Sequence, residues 1–159
     1  MTAQTLTKPS FGSFTIEQKL KHSPRRVFRA FEDPAAHYRW FVSGEGWEIA
    51  NYTHDFRLGG HEHGQVRPVG HPSMFSNDTW YLEITPGQRI VVAYTMGMDG
   101  APMSHSVTVT EFFLDGPNGC RLVFTEQGAY YGGPDDVKNR RGGFEELLGK
   151  LENELATHA

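Results

Sequence analysis

The chain opens on a strand and closes on a long amphipathic helix, and every long patterned stretch between them is strand-like. Residues 14–20 alternate apolar and polar, the period of a half-buried strand. Phe144, Leu147, Leu148, Leu151 and Leu155 recur at helical spacing and predict a helix over roughly 135–156. Between them, runs at 47–57, 61–66, 79–85, 89–96, 104–114 and 120–127 read as strands. Several are joined by tight turns such as Leu58-Gly59-Gly60 and Thr85-Pro86-Gly87-Gln88. Parallel pairs need long crossovers, so these short connections predict an antiparallel meander. The 67–77 stretch, with two prolines and a glycine, is expected to be a loop. The expected fold class is α+β: a curved antiparallel sheet of about six or seven strands around the C-terminal helix. A sheet gripping one helix tends to leave a cavity, and cavities hold small molecules.

Two short helices are expected after the first strand. Ser23 before Pro24 opens the first, which carries Val27, Phe28 and Phe31; Asp33 before Pro34 repeats that signal for a second carrying Tyr38, Trp40 and Phe41. A chain of 159 residues is most simply one domain. Residues 1–10 are polar and read as a flexible N-terminal arm, leaving 11–159 as the domain. A net charge of -4 with mixed signs offers no basic footprint for nucleic acid. The longest apolar runs fall far short of the ~20 residues that span a bilayer, so no membrane is expected. Cys120 is the single cysteine, which excludes an intramolecular disulfide and fits a reducing, cytoplasmic setting.

Four local motifs sharpen this outline. Ser23-Pro24-Arg25-Arg26-Val27-Phe28-Arg29-Ala30-Phe31, His54-Asp55-Phe56-Arg57-Leu58-Gly59-Gly60, and 81–90 with its Glu83-Ile84-Thr85-Pro86 core are three of them. Gly142-Gly143-Phe144 followed by Leu147, Leu148 and Leu151 is the fourth. Together they resemble the START-like, polyketide-cyclase (SRPBCC) superfamily. Its branch of bacterial homologues of the heat-shock protein 90 ATPase activator is the most similar. The resemblance implies the helix-grip fold over about 14–155. It implies a hydrophobic cavity or a chaperone partner, and it does not decide between carriers, cyclases and stress-response cofactors.

Strand parity nominates the cavity wall. On 89–96, Ile90, Val92, Tyr94 and Met96 share one face; on 120–127, Cys120, Leu122 and Phe124 do. On 104–114 the apolar set Val107, Val109 and Phe113 carries His105 with it, and on 79–85 Trp80 goes with Leu82 and Ile84. The expected ligand-binding residues are therefore Trp80, Tyr94, His105, Phe124, Phe113, Met96, Trp40 and Phe41. Arg140 or Arg141 is expected near the opening, pairing with an acidic ligand or with Glu126. Gly142-Gly143 is expected to permit a bend or close approach to the sheet.

The first expectation is a binding module for a small hydrophobic or aromatic molecule, as monomer or homodimer. A chaperone-interacting stress-response protein is the alternative. An enzyme of cyclase or hydrolase type, with His105 or Tyr94 as acid or base, is the third. No paired nucleophile, phosphate loop or cofactor motif supports the last. His61 and His63 lie on one side of a strand, but two ligands are not a metal site, and no carboxylate or cysteine falls at a diagnostic spacing. Neither a metal nor another cofactor is expected.

Overall fold

Seven antiparallel strands form one sheet in the order β1-β7-β6-β5-β4-β3-β2, and the C-terminal helix lies in its grip. The computed structural model describes residues 6–132 and 135–158. The elements are β1 (Ser10–Leu20), α1 (Pro24–Glu32), α2 (Pro34–His37), β2 (Trp47–His54), β3 (His61–Pro68), β4 (Phe75–Thr85), β5 (Arg89–Met98), β6 (Ala101–Asp115), β7 (Gly119–Tyr130) and α3 (Val137–Thr157). A π-helical turn, Tyr38–Val42, continues α2. The fold is the expected α+β helix grip.

Local chemistry sets the helix starts. Ser23 accepts a bond from the Arg26 amide at 3.2 Å, and Asp33 accepts from Ala35 at 2.9 Å, each followed by a proline that lacks the amide a first turn cannot use. Asp136 caps α3 through the Asn139 amide at 2.7 Å. The two short helices carry the chain from β1 at one sheet edge to β2 at the other. Hairpins then return it strand by strand until β7 pairs with β1. Val27, Phe28, Leu122, Leu148, Leu151 and Leu155 are buried where α1, α3 and the sheet meet.

Several expectations need correction. The 67–77 stretch is shorter as a loop than predicted, because β3 runs to Pro68 and β4 begins at Phe75. On β6 the parity is inverted. Ser104, Ser106, Thr108, Thr110 and Phe112 face inward, while Val107 and Phe113 are about 40% exposed and His105 lies outside with them. The inner face there is polar because the serine hydroxyls serve buried charges described below. On β4 a bulge at Leu82 breaks the alternation: Tyr81 pairs with Val92, but Glu83 pairs with Val91. Tyr81 and Ile84 therefore both reach the core, whereas Trp80 and Leu82 are half exposed on the outer face. Gly142 and Gly143 permit no close approach, since a Cβ at either would meet nothing within 4 Å, and α3 runs unbroken through them.

The expected N-terminal arm falls partly outside the described residues, as do Gly133 and Pro134, just before the helix expected over 135–156. Among the described residues no helix is long and apolar enough to cross a membrane.

Candidate functional site

Two adjoining spaces lie between the sheet and α3. The inner one, about 70 Å³, is walled by aromatic and aliphatic side chains including Trp40, Phe56, Val92, Phe124 and Leu148. The outer one, about 400 Å³, runs past Tyr52, Val66, Met96 and Leu147 to Trp47 and Lys150. Phe41, Glu62, Asn77, Tyr94 and Phe144 border both, so the two adjoin along a shared set of side chains and together make up the cavity between the sheet and α3. Its ring-lined interior includes Phe124 and Phe144, whose centroids are 4.3 Å apart.

Of the residues nominated from sequence, Tyr94, Phe124, Met96, Trp40, Phe41 and Arg140 border this cavity. Trp80, His105 and Phe113 do not. Trp80 stacks on His61 outside the sheet at 4.0 Å, His105 bonds Thr95 at 2.8 Å, and Phe113 lies under Arg121. Arg141 is exposed and pairs with Glu145 at 2.9 Å, one turn along α3.

Arg140 does not wait for an acidic ligand. Buried at the outer end of the cavity, it donates to Glu126 at 3.3 Å, to Ser104 at 2.7 Å, to Tyr94 at 2.5 Å and to Asp135. Glu126 in turn accepts from Tyr94, from Tyr130 at 2.5 Å and from Ser106 at 3.3 Å. Gly128 makes room for this cluster, because a Cβ there would sit 2.5 Å from the Ser106 hydroxyl. Burial pushes the Tyr94 phenol well above its ordinary value; Arg140 opposes that shift and Glu126 adds to it. Tyr94 is thus a neutral donor, unsuited to act as a base. His105 is outside. Of the two candidates for acid or base expected from sequence, His105 or Tyr94, only Tyr94 borders the cavity.

A second polar cluster sits across the cavity and was not nominated. Glu62 is buried on β3, and one of its oxygens, Oε2, accepts from Tyr52 at 2.5 Å and lies 2.7 Å from His37 Nε2. His54, opposite Glu62 in the β2–β3 register, holds the Tyr81 hydroxyl at 2.7 Å and stacks on His37 at 4.6 Å. Burial alone would raise the Glu62 carboxyl, but His37, Tyr52 and His54 outweigh it and hold the group below its ordinary value. Burial pushes the His54 imidazole down, and His37 beside it pushes the same way. The Nδ1 atoms of both histidines are buried without a partner. A signal existed in the sequence. Alternation puts Glu62 on the face opposite His61 and His63, but histidines drew attention to the wrong side of β3.

Among the described residues two groups of side chains have the donor atoms to hold a metal: His37, His54 and Glu62 inside, and His61, His63 and Asp78 outside. The inner histidine rings are nearly parallel, at 23°, so their in-plane lone pairs do not converge on one point. That cluster is better described as a hydrogen-bonded carboxylate–imidazole pair.

The whole-chain comparisons agree with this architecture. A crystal structure of a Rhizobium loti protein is 40% identical, covers 92% of this chain and 99% of its own, and superposes with a TM-score of 0.84. An uncharacterized protein from Rhizobium leguminosarum is 34% identical over 96% of this chain and 99% of its own, with a TM-score of 0.88. An AHSA1-like protein from Aeromonas hydrophila is 15% identical over 91% of this chain and 92% of its own, with a TM-score of 0.66, and shares the fold. No curated protein matches the chain significantly. The family model described as "Activator of Hsp90 ATPase homolog 1-like protein" matches residues 21–156, from just after β1 to the end of α3, and the chain belongs to that family, within the START-like superfamily.

Proposed function

We propose that the protein binds one small, mostly apolar and aromatic molecule in the cavity between the sheet and α3. The observation that carries this is the cavity itself: it is ring-lined and bordered by a buried polar cluster with unpartnered atoms. The charge pattern narrows the ligand. Arg140 is already neutralised by two carboxylates, while Glu62 is held ionised. A guest with a hydrogen-bond donor or weakly basic nitrogen suits Glu62, and an anionic guest does not. Of the two partners that the sequence offers Arg140, an acidic ligand or Glu126, this reading takes Glu126. A cytoplasmic setting fits the single, buried Cys120, whose thiol burial pushes up to about 11.

The test is a fluorescence titration with two naphthyl probes of similar shape, neutral N-phenylnaphthylamine and anionic anilinonaphthalene sulfonate. Trp40 and Trp47 border the cavity, so a Trp80→Phe background removes the indole that lies outside it. The neutral probe is expected to bind at least about tenfold more tightly, a difference of ~1.4 kcal/mol. Glu62→Gln should narrow that gap. Failure of both probes to bind, or an unchanged preference in Glu62→Gln, would remove the proposal.

Family membership favours a second reading, interaction with a chaperone of the Hsp90 type. Co-sedimentation with purified Hsp90 and its ATPase rate with and without this chain check it. No complex and no change in rate would dismiss it.

A further inference from the structure

The outer face of β3 and β4 carries a polar group unconnected with the cavity. His61 and His63 are two apart on β3, so their rings project on the same side, away from Glu62. Asp78 is opposite His63 in the β3–β4 register. Its Oδ1 lies 3.0 Å from His61 Nε2 and 2.7 Å from His63 Nδ1. Trp80, opposite His61, stacks on that ring at 4.0 Å and 15° and fixes its orientation. The sequence shows two histidines; only the strand pairing supplies the carboxylate, fifteen residues further on.

We propose that His61, His63 and Asp78 bind a single divalent transition-metal ion of the zinc, copper or nickel class. The geometry is close to what such an ion requires. Tetrahedral zinc holds nitrogen and oxygen ligands at about 2.0–2.2 Å, which puts ligand atoms about 3.3 Å from one another. Here the two nitrogens already approach one oxygen at 2.7 and 3.0 Å, and all three atoms fall within 4.8 Å of each other. Outward shifts of a few tenths of an ångström would admit the ion. The ring protons now directed at Asp78 would move to the far nitrogens, so that Nε2 of His61 and Nδ1 of His63 become donors to the metal. Two imidazoles with one carboxylate select this class over magnesium and calcium, which prefer all-oxygen shells. The three side chains are about one-quarter to two-fifths exposed, so water completes the coordination. The ion would tie β3 to β4 near the β2 edge of the sheet, independently of any cavity ligand.

Equilibrium dialysis of the untagged full chain against zinc, nickel and copper chlorides, with elemental quantification, tests the site. About one equivalent is expected. His63→Ala and Asp78→Asn should each weaken binding by more than about tenfold. His105→Ala, on the same face but bonded to Thr95, should leave binding unchanged. Copper(II) bound beside His61 should quench Trp80, and the quenching should vanish in Trp80→Phe and in His61→Ala. Magnesium and calcium should not compete. The proposal is overturned if no ion binds more tightly than about 1 mM, or if His63→Ala and Asp78→Asn bind like the wild type. Quenching that persists without Trp80 would also overturn it by placing the ion elsewhere.

Discussion

The two buried polar clusters that border the cavity are built on opposite plans. Around Arg140 each charge is answered: two carboxylates, a serine hydroxyl and a phenol surround the guanidinium, and Glu126 takes bonds from two tyrosines and a serine. Around Glu62 the answer is partial. One carboxylate oxygen receives both bonds, and two buried imidazole nitrogens have no partner. Among the described residues no buried side-chain polar atom of this network lacks a partner, which leaves little capacity for a guest, so it serves as an anchor joining α3 to β5, β6 and β7. An unsaturated network costs stability and keeps that capacity. Under the proposed ligand-binding function, the difference gives one end of the cavity a structural role and the other the role of recognition.

The largest effect should come from breaking the saturated end. Arg140→Met leaves Glu126 and Asp135 buried without their cation, and such uncompensated charges cost about 3–5 kcal/mol. Urea denaturation reads this directly. A loss below about 1 kcal/mol would mean that the network is not the anchor. Glu62→Gln, by contrast, keeps the shape and removes a charge, with an expected loss of about 1–2 kcal/mol.

Acid should act on the unsaturated end through His54 and Glu62. Both are held below their ordinary values in the folded chain. For His54, the unfolded chain binds a proton near pH ~6.5 while the folded one resists it, so stability is lost as pH falls below that value. For Glu62, stability is present above its unfolded value near ~4.3 and is lost as pH falls through the lower folded value. The guanidinium of Arg140 stays charged throughout this range. Melting temperatures from pH 7 to 3 should therefore show two descents. His54→Phe should flatten the upper one and Glu62→Gln the lower. An upper descent that survives in His54→Phe would assign it to another group.

The same contrast shows how far the sequence is legible. Strand count, helix starts and the α3 stripe follow from local periodicity and capping, which need only neighbouring residues. Tyr94, Met96 and Phe124 border the cavity as alternation predicts, because β5 and β7 run regularly there. Trp80 was misplaced by one bulged residue, Leu82, whose position is set by pairing with β5 and leaves no mark in the β4 sequence. His105 and Phe113 were misplaced because the more apolar face of β6 points outward. Ser104 and Ser106 face inward to serve Arg140 and Glu126, and those partners are 36 and 20 residues away, respectively. Asp78 beside His61 and His63 was invisible for the same reason. Hydropathy records which side chains are apolar; it does not record which polar ones have a buried partner.

The smallest expected effect separates the cavity from the helix that covers it. Gly142 and Gly143 sit inside α3, where each glycine costs up to about 1 kcal/mol relative to alanine. A methyl at either position meets open space, so Gly142→Ala and Gly143→Ala should each stabilise the fold by a similar amount. Only Gly143 borders the outer part of the cavity. Gly143→Ala should therefore weaken N-phenylnaphthylamine binding several-fold while raising the melting temperature, and Gly142→Ala should raise the melting temperature alone. Equal effects on binding would show that the probe lies against the inner rings near Phe124, clear of Gly143. Loss of stability in either variant would mean that helix packing, and not open space, surrounds these glycines.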